Sequence, residues 1–485
     1  MLRKIAFATV AAVLVSASVR GQDAAATIAA VHKAMGTGTL KSISYAGAAA
    51  TGNFGQSKTI AGPLAMTAIA GYRRAIDLEQ PYSRAIGTTM PPAVPGAPPP
   101  APGTFNQGIA PNAAWTGQIE IWITPWGFLK GAAANNATAE TERSGGKSYT
   151  VISWTPSQKA PSGQSYRLNG YVNDQQLIER VETWIEHPVM GDLQVEQSYS
   201  DYRDIGGMKV PGKIVQRRGG FQTFEATVNE AVANPANIAD LLQPPVAPGA
   251  GRAGAPAGAP PAAAPPPAVQ SEKLADGVYR ITGGYVALAV EFRDHVVVLE
   301  GGQNEARGLA VIAETRKLFP SKPIRYVVNT HPHFDHSGGL APFVAEGITI
   351  VTHDNNRAFL EKALGSPRTL VGDALAKSKR KPKLEGAADK RVLADATRTI
   401  ELHHVKDLDH SDGMLIAFLP KERILFTGDF NVPAAGQPVS PAIKTLVDNT
   451  ERLKLDFDRH VLVHAPNPDR PQTKADLLAL LKGGS

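Results

Sequence analysis

The residues best suited to chemistry in this chain lie in one short segment, Thr330 to Gly339, which reads Thr-His-Pro-His-Phe-Asp-His-Ser-Gly-Gly. It follows an apolar run, Ile324 to Val328, that is typical of a buried strand. Imidazole nitrogen and carboxylate oxygen are the ligands that zinc takes when no thiolate is available, and the chain contains no cysteine. The segment therefore predicts a metal site whose first candidate ligands are His331, His333, Asp335 and His336.

The spacing of these residues predicts two ions rather than one. Side chains two apart on an extended backbone point the same way, so His331 and His333 can bind one ion. Pro332 supports that conformation, because the residue before a proline is kept out of the helical region. If a helix begins after Phe334, Asp335 and His336 can face a second ion. The alternative is a chance cluster of histidines in a surface loop.

Three further ligand-type residues stand beside short apolar runs downstream. His410 opens His-Ser-Asp-Gly ahead of the run 414–419, Asp429 follows the run 424–426, and His464 ends His-Val-Leu-Val-His. Proteins that alternate strands and helices gather their chemistry at strand ends, so these three are the expected remaining ligands. His403 and His404, inside a predicted strand over 399–404, compete with His410 for the same role.

The pattern resembles the metallo-β-lactamase superfamily, whose signature His-x-His-x-Asp-His is complete here and is followed by Gly-Gly. The resemblance extends from Leu274 to the C-terminus and implies a four-layer αβ/βα sandwich with the metals at the sheet edges. An aspartate at position 429, with no cysteine in the chain, is similar to the glyoxalase II and lactonase branches rather than to the cysteine-containing lactamases. The resemblance implies that the first metal is held by His331, His333 and His410, that the second is held by Asp335, His336 and His464, and that Asp429 bridges the two.

The implied activity is hydrolysis of a small-molecule substrate. Two zinc ions and a bridging hydroxide would cleave an ester, lactone, thioester or amide bond, and Asp335 would pass a proton to the leaving group. Iron or manganese are alternatives, because nitrogen and oxygen ligands do not select zinc uniquely. Three other functions stay open: a β-lactamase-type hydrolase, an iron-dependent oxidising relative of the same fold, and a non-catalytic carrier.

The first residues predict export. A basic start, Met1 to Lys4, precedes an apolar stretch from Ile5 to Val19. That stretch is shorter than the roughly 20 residues that a membrane-spanning helix needs, and the arrangement is typical of a secretory signal. Residues 1–22 are therefore the expected signal peptide of a periplasmic or extracellular protein that has no transmembrane segment once the signal is removed. An uncleaved N-terminal anchor is the alternative.

The charge balance does not favour a nucleic-acid partner. The formal net charge of +6 includes three basic residues of the predicted signal peptide, so the remaining excess is small. The basic residues are concentrated in one run, Lys377 to Lys383, for which a solvated loop is the first interpretation. A lid that attracts anionic substrates is the alternative.

A change of composition predicts the domain boundary. Residues 243–270 are mostly proline, alanine and glycine, a composition typical of an extended linker. The linker would separate an N-terminal domain, 24–242, from the catalytic domain, 271–485. A second proline-rich tract, 91–103, predicts a disordered insertion within the first domain.

The N-terminal domain is predicted to be mostly antiparallel β with a helix over Ala25 to Met35, which makes the whole protein α+β. Alternating polar and apolar residues indicate strands with one wet face, and the run 119–123 is included among these strands. Gly206 and Gly207 predict a hairpin turn. The order of elements is similar to that of outer-membrane lipoprotein-sorting carriers, which implies an apolar ligand or an envelope component as partner. We expect this domain to stand apart from the metals.

Overall fold

The computed structural model describes residues 24–91, 101–244, 269–433, 439–465 and 471–482. The predicted signal peptide, most of the predicted linker and most of the predicted insertion lie outside these ranges. The described residues form a mixed α+β protein, with a mostly antiparallel β half followed by a sandwich of two sheets and flanking helices. The predicted fold class is confirmed.

The N-terminal half is built on one large antiparallel sheet. The described strands of this half are β1 (Ser42–Gly52), β2 (Met66–Asp77), β3 (Tyr82–Met90), β4 (Gly103–Ile109), β5 (Thr138–Ser144), β6 (Lys147–Trp154), β7 (Leu168–Val172), β8 (Ile178–His187), β9 (Gly191–Ser200), β10 (Arg203–Ile205), β11 (Met208–Val210), β12 (Lys213–Arg218) and β13 (Phe221–Ala233). Its helices are α1 (Ala24–Met35), α2 (Trp115–Trp122), α3 (Pro125–Ala134) and α4 (Ile238–Leu241). Eleven strands pair in the order β4-β3-β2-β1-β13-β12-β9-β8-β7-β6-β5, and β10 pairs with β11. The predicted helix at the start and the hairpin turning at Gly206 and Gly207 are confirmed.

The prediction of a strand over 119–123 is wrong, because these residues belong to the end of α2. Their alternation of apolar and polar types imitates a strand, yet Ile119, Ile121 and Ile123 are all fully buried against the large sheet. A helix that is buried on several sides carries apolar residues around its circumference, so it loses the helical period that sequence reading relies on. Glu120, the polar residue between them, pairs with Arg218.

The C-terminal half contains two sheets. The first has seven strands: β14 (Gln270–Ala275), β15 (Val278–Thr282), β16 (Ala287–Glu291), β17 (Val296–Leu299), β18 (Ile324–Val328), β19 (Thr349–His353) and β20 (Leu384–Ala387). The second has six: β21 (Lys390–Ala394), β22 (Thr399–His404), β23 (Leu415–Leu419), β24 (Ile424–Thr427), β25 (Arg459–Leu462) and β26 (Gln472–Thr473). The helices are α5 (Glu305–Leu318), α6 (Phe334–Ser337), α7 (Leu340–Glu346), α8 (Asp354–Leu364), α9 (Ala374–Ser378), α10 (Pro441–Arg452) and α11 (Lys474–Lys482).

These elements form four layers. One apolar core lies between the two sheets and joins residues such as Val297 and Phe426. A second core packs α5, α7 and α8 on the outer face of the seven-stranded sheet, and a third packs α10 and α11 on the outer face of the other sheet. Strands β17 to β20 are parallel, as are β24 and β25. Their carboxyl ends therefore lie at one edge of each sheet, where short loops can bring polar residues together.

The two halves of the chain share their apolar cores. Ile60 and Val189 of the N-terminal half are buried in the core under the seven-stranded sheet. In return, Leu370 of the C-terminal half is buried in the core of the large antiparallel sheet. Each half therefore contributes apolar side chains to the core of the other, so the halves are joined by packing as well as by the linker.

Polar groups also join the halves. The guanidinium of Arg368 is buried, pairs with Asp373 and donates a hydrogen bond of 2.7 Å to the carbonyl of Pro188. The carboxylate of Asp192 accepts from the backbone N–H of Thr369 at 2.9 Å and from its hydroxyl at 2.7 Å. A buried charge is costly unless it is paired and hydrogen-bonded, so the guanidinium of Arg368 depends on the N-terminal half for part of its hydrogen bonding.

Among the helices of the described ranges, none combines the length and the apolar character that crossing a membrane would require.

The shared cores change the expectation for proteolysis. From the sequence, cleavage near Arg252 is expected to release a free catalytic fragment. Because Ile60, Val189 and Leu370 are buried across the boundary, we now expect the two fragments to stay associated after trypsin cuts the linker. Size-exclusion chromatography of the nicked protein should show both fragments in one peak at the mass of the intact chain. Two separate peaks in native buffer would contradict this expectation.

Candidate metal centre

The structure brings all seven predicted ligands to one place, at the carboxyl edges of the two sheets. They form two groups, and within each group the nearest ligand atoms lie within 4.8 Å of one another. Asp429 belongs to both groups. The first group is His331, His333, His410 and Asp429, and the second is Asp335, His336, Asp429 and His464.

The local backbone explains why one short segment can serve both groups. Strand β18 ends at Val328 and the chain continues in an extended conformation, with φ −56° and ψ 148° at His333. Helix α6 then begins at Phe334 and contains Asp335 and His336, which belong to the second ligand group. The predicted change from extended chain to helix after Phe334 is therefore confirmed.

The separations between ring nitrogens also fit ligands of a common metal ion. His331 Nε2 lies 3.1 Å from His333 Nδ1 and 3.3 Å from His410 Nε2. Three imidazole nitrogens thus converge, and a neutral imidazole carries only one N–H. Ligands bonded at about 2.0–2.1 Å to a tetrahedral zinc ion lie roughly 3.3 Å apart. In the second group, His336 Nε2 and His464 Nε2 are 3.2 Å apart, which fits the same geometry.

Asp429 carries the same signature. Its Oδ1 lies 2.8 Å from His336 Nε2 and 2.8 Å from His464 Nε2, and its Oδ2 lies 2.9 Å from His410 Nε2. Among the described residues, however, no group forms a hydrogen bond of acceptable geometry with the buried Oδ1. Close approach without hydrogen-bond geometry is expected where oxygen and nitrogen lone pairs point at a common centre. The donor set therefore fits two metal ions with Asp429 between them.

The electrostatics of Asp429 agree with this arrangement. Burial raises the pKa of the Asp429 carboxyl, but its close contacts with His336, His410 and His464 lower that pKa by more, so the group is held well below its usual range. It is therefore ionised at neutral pH. An ionised, mostly buried carboxylate needs compensating positive charge, which metal ions would supply.

Two histidines of the first group, His331 and His333, are suited to bind metal as neutral rings. Burial lowers the pKa of His331 and lowers the pKa of His333 to about 4. His336 differs: burial lowers its pKa, but Asp429 and Glu300 raise the pKa to about 10. Because a ligand histidine must be neutral, metal binding at His336 would release a proton.

Glu300 supports two of the ligands and was not identified from the sequence. It is fully buried at the end of β17, accepts a 2.7 Å hydrogen bond from Thr330 Oγ1, and lies 3.3 Å from His336 Nδ1. Thr330 Oγ1 in turn lies 3.2 Å from His331 Nδ1. Fixing Nδ1 of a ring leaves Nε2 for a metal. The available signal was an acidic residue ending an apolar run ahead of two glycines, 296–302.

Both oxygens of Asp335 are also fixed. Oδ2 accepts a 2.8 Å hydrogen bond from the hydroxyl of Tyr285, and Oδ1 accepts one of 2.5 Å from the amide of Gln56. Burial raises the pKa of Asp335, but His336 and these two donors lower the pKa by more. The Tyr285 ring also packs against His464, with centroids 4.4 Å apart. The sequence offered no spacing signal for Tyr285 or Gln56.

One side of the centre is open. The side chains of His331, His333 and His336 have no exposed surface. In contrast, Asp335, His410 and His464 keep 31%, 30% and 26% of their side-chain surface exposed. A substrate would therefore approach from the side of these three residues.

The histidines outside the two ligand groups have other contacts, and Nε2 of the competing His403 lies 2.9 Å from the carboxylate of Glu401. The ring of His404 packs on that of His353 at 4.0 Å, and its Nε2 lies 3.0 Å from the carbonyl of Asp412. His353 accepts from the backbone N–H of Asn355 and caps α8. Neither belongs to the two ligand groups. His187 accepts backbone hydrogen bonds and packs on Phe334, so its contacts are structural.

Comparison with known proteins places the family within the C-terminal half. Residues 281–465 match the family model described as Metallo-beta-lactamase superfamily. A curated relative, 2,4-dinitroanisole O-demethylase subunit alpha of Nocardioides sp. (strain JS1661), is 24% identical over 219 residues, or 43% of this chain. The chain spans 62% of the length of that relative.

Solved structures with a similar arrangement include two metallo-β-lactamases. One, from Pontibacter korlensis, is 18% identical, with 44% of this chain and 99% of that chain covered and a TM-score of 0.33. Another, from Hirschia baltica, is 20% identical, with 44% and 96% covered and a TM-score of 0.34. The likeness of the N-terminal half to lipoprotein-sorting carriers stays a prediction.

Removal of the shared carboxylate should reduce the number of bound ions. Asp429→Ala takes a ligand from both groups, and the chain has no cysteine to replace it. We expect the metal content to fall from two ions per chain toward one, measured by elemental analysis of the dialysed protein. Asp174→Ala is the matched control, because Asp174 is exposed and lies in the N-terminal half, away from both ligand groups. Two tightly bound ions in Asp429→Ala would show that the bridging role is misassigned.

The third histidine of the first group can be tested against its neighbour. His410→Ala should lower metal affinity at the first site by far more than His404→Ala, because only His410 presents a nitrogen to that group. For His404 we expect an effect within the range of about 10- to 100-fold that supporting residues show. Competition with a chelator measures both. A larger loss in His404→Ala would reverse the assignment.

Proposed function

We propose that the metallo-β-lactamase superfamily domain at residues 281–465 is the catalytic part of a dinuclear zinc hydrolase that cleaves an ester, lactone, thioester or amide bond. The observation that carries the proposal is the pair of ligand groups that share Asp429. Two adjacent ions held by nitrogen and oxygen donors are a recurring arrangement for displacement by water. Iron and manganese suit the same donors and are the alternative ions.

Two ions bound at these residues would supply Lewis acidity and would lower the pKa of a bound water to about 7. The chain supplies the rest. Asp429 would hold the two ions together, and Glu300 would keep His336, and through Thr330 also His331, in one ring orientation. Rigid support of this kind keeps the reacting groups in place during the reaction.

Asp335 is the proposed proton carrier. Its pKa is held below the usual value, so it is ionised at neutral pH and can accept a proton from the attacking water. It keeps part of its surface exposed on the open side of the centre, where the leaving group would lie. Tyr285 and Gln56 each donate a hydrogen bond to one of its oxygens and so hold the carboxylate in place.

The Nocardioides relative favours a second substrate class. That protein is named as a subunit of a demethylase for 2,4-dinitroanisole, which is an activated aryl methyl ether. Its similarity to this chain supports testing aryl ethers beside the acyl compounds. We further propose that the protein acts in the periplasm or outside the cell, on the basis of the basic and apolar residues at its start, Met1 to Val19.

The proposed activity can be tested by metal analysis joined to a substrate screen. The purified protein should contain two zinc ions per chain and should hydrolyse at least one lactone, thioester, ester, β-lactam or activated aryl ether. A chelator should abolish turnover, and added zinc should restore it. Asp429→Ala serves as the inactive control.

Other results would overturn the proposal. Iron in the protein, together with oxygen consumption during turnover, would favour the oxidising alternative. Two bound ions without hydrolysis of any compound in the panel would favour a carrier.

A further inference from the structure

We infer that a segment of the N-terminal half is a working part of the metal centre, an inference that rests on the proposed function for the identity of the ions. The segment is residues 53–60, the first part of the connection between β1 and β2. It contacts the loops that carry ligands of both groups, and we assign to it the role of positioning them. This role differs from the sequence prediction that the N-terminal half stands apart from the metals.

The segment runs along the first ligand loop. Gly55 accepts a 3.0 Å hydrogen bond from the backbone N–H of Phe334. The carbonyl of Ser57 lies 3.1 Å from His333 Nε2, and the amide of Gln56 donates to Asp335. Three consecutive residues of one half thus contact three consecutive residues of the other, two of which are proposed ligands.

The contact from Ser57 decides which nitrogen of His333 is free. A carbonyl oxygen only accepts, so Nε2 of His333 must carry the proton. The unprotonated atom is then Nδ1, which is the atom that faces His331 Nε2 in the first group. A hydrogen bond to the outer nitrogen of a ligand histidine commonly sets its tautomer and orientation. Here that hydrogen bond comes from the N-terminal half.

The same segment holds the loop that carries His410. Lys58 accepts a 2.9 Å hydrogen bond from the backbone N–H of Asp412, and the hydroxyl of Thr59 donates to the carboxylate of Asp412 at 2.6 Å. The ammonium of Lys58 pairs with Asp409 at 2.8 Å. These contacts lie on both sides of His410. The segment therefore connects the two loops whose separation sets the width of the centre.

Packing keeps the segment in its place. Gly55 has φ +81°, and a Cβ there would lie 2.1 Å from the ring of Phe334, so only glycine allows this approach. Phe54 packs edge-on against Phe334 at 5.0 Å, and Ile60 is buried in the core under the seven-stranded sheet. This close packing indicates that the contact between the segment and the first ligand loop is a specific part of the fold.

The test uses full-length variants of Gln56. Gln56→Ala removes the donor to Asp335, so zinc affinity at the second site should fall by about 10- to 100-fold, while the first site keeps its ion. Gln56→Glu preserves the size of the side chain but removes the donor and places a carboxylate against Asp335. It should lose at least as much affinity as the alanine variant. Gln80→Ala, at an exposed glutamine of the same half, is the matched control.

Chelator competition measures the zinc affinity, and the visible spectrum of the cobalt-substituted protein reports the geometry at the second site. We expect both to change in the Gln56 variants at an unchanged melting temperature. Gly55→Ala should weaken both sites, because it pushes the segment away from Phe334; if that variant does not fold, the Gln56 variants decide alone.

Two outcomes would overturn the inference. Zinc affinity equal to the parent in both Gln56 variants would show that the segment does not position the ligands. Parent-like affinity in Gln56→Glu with a loss in Gln56→Ala would reduce the role to packing. The proposed function is decided separately, by the zinc content and hydrolysis of the parent protein, so a parent that binds zinc but hydrolyses nothing leaves the role of Gln56 testable.

Discussion

The convergence of six nitrogen and oxygen ligands on a seventh, Asp429, is the constraint on which the rest of the structure depends. Nitrogen and oxygen lone pairs that converge in a largely buried space are unfavourable until a cation joins them. The protein therefore has to hold each ring and carboxylate against its tendency to turn away. Glu300 and Thr330 do this from within the C-terminal half, through contacts at the outer Nδ1 atoms of His336 and His331, and Tyr285 does so through a hydrogen bond to the carboxylate of Asp335.

The layers of the sandwich bring these groups together, and the N-terminal half limits how they can move. Parallel strands in both sheets end at the same edge, so the loops after β18 and β24 meet there. The segment of residues 53–60 then contacts the loops of His333 and His410 from outside the sandwich. Because the two halves also share apolar cores, this contact is supported by packing and not by a few surface hydrogen bonds alone.

Much of the fold could be predicted from sequence periodicity. Short apolar runs predicted strands such as β17 and β24 correctly, since both are buried on both faces and need no alternation. The same reasoning failed at α2, where burial on several sides removes the helical period and leaves Ile119, Ile121 and Ile123 looking like a strand. Hydrophobic periodicity predicts an element correctly where the pattern of burial matches that element's type. It fails where tertiary packing buries residues that the local pattern would leave exposed.

What the sequence determined by itself was the ligand chemistry. The absence of cysteine, the spacing of His331, His333, Asp335 and His336, and strand-end positions for Asp429 and His464 depend only on residue type and local geometry. Tertiary structure alone decided which distant groups support those ligands. Gln56 lies 279 residues from Asp335 along the chain, and no local rule relates such positions. Their meeting follows from how two halves with incomplete cores fill each other, a property of packed surfaces and not of any segment of sequence.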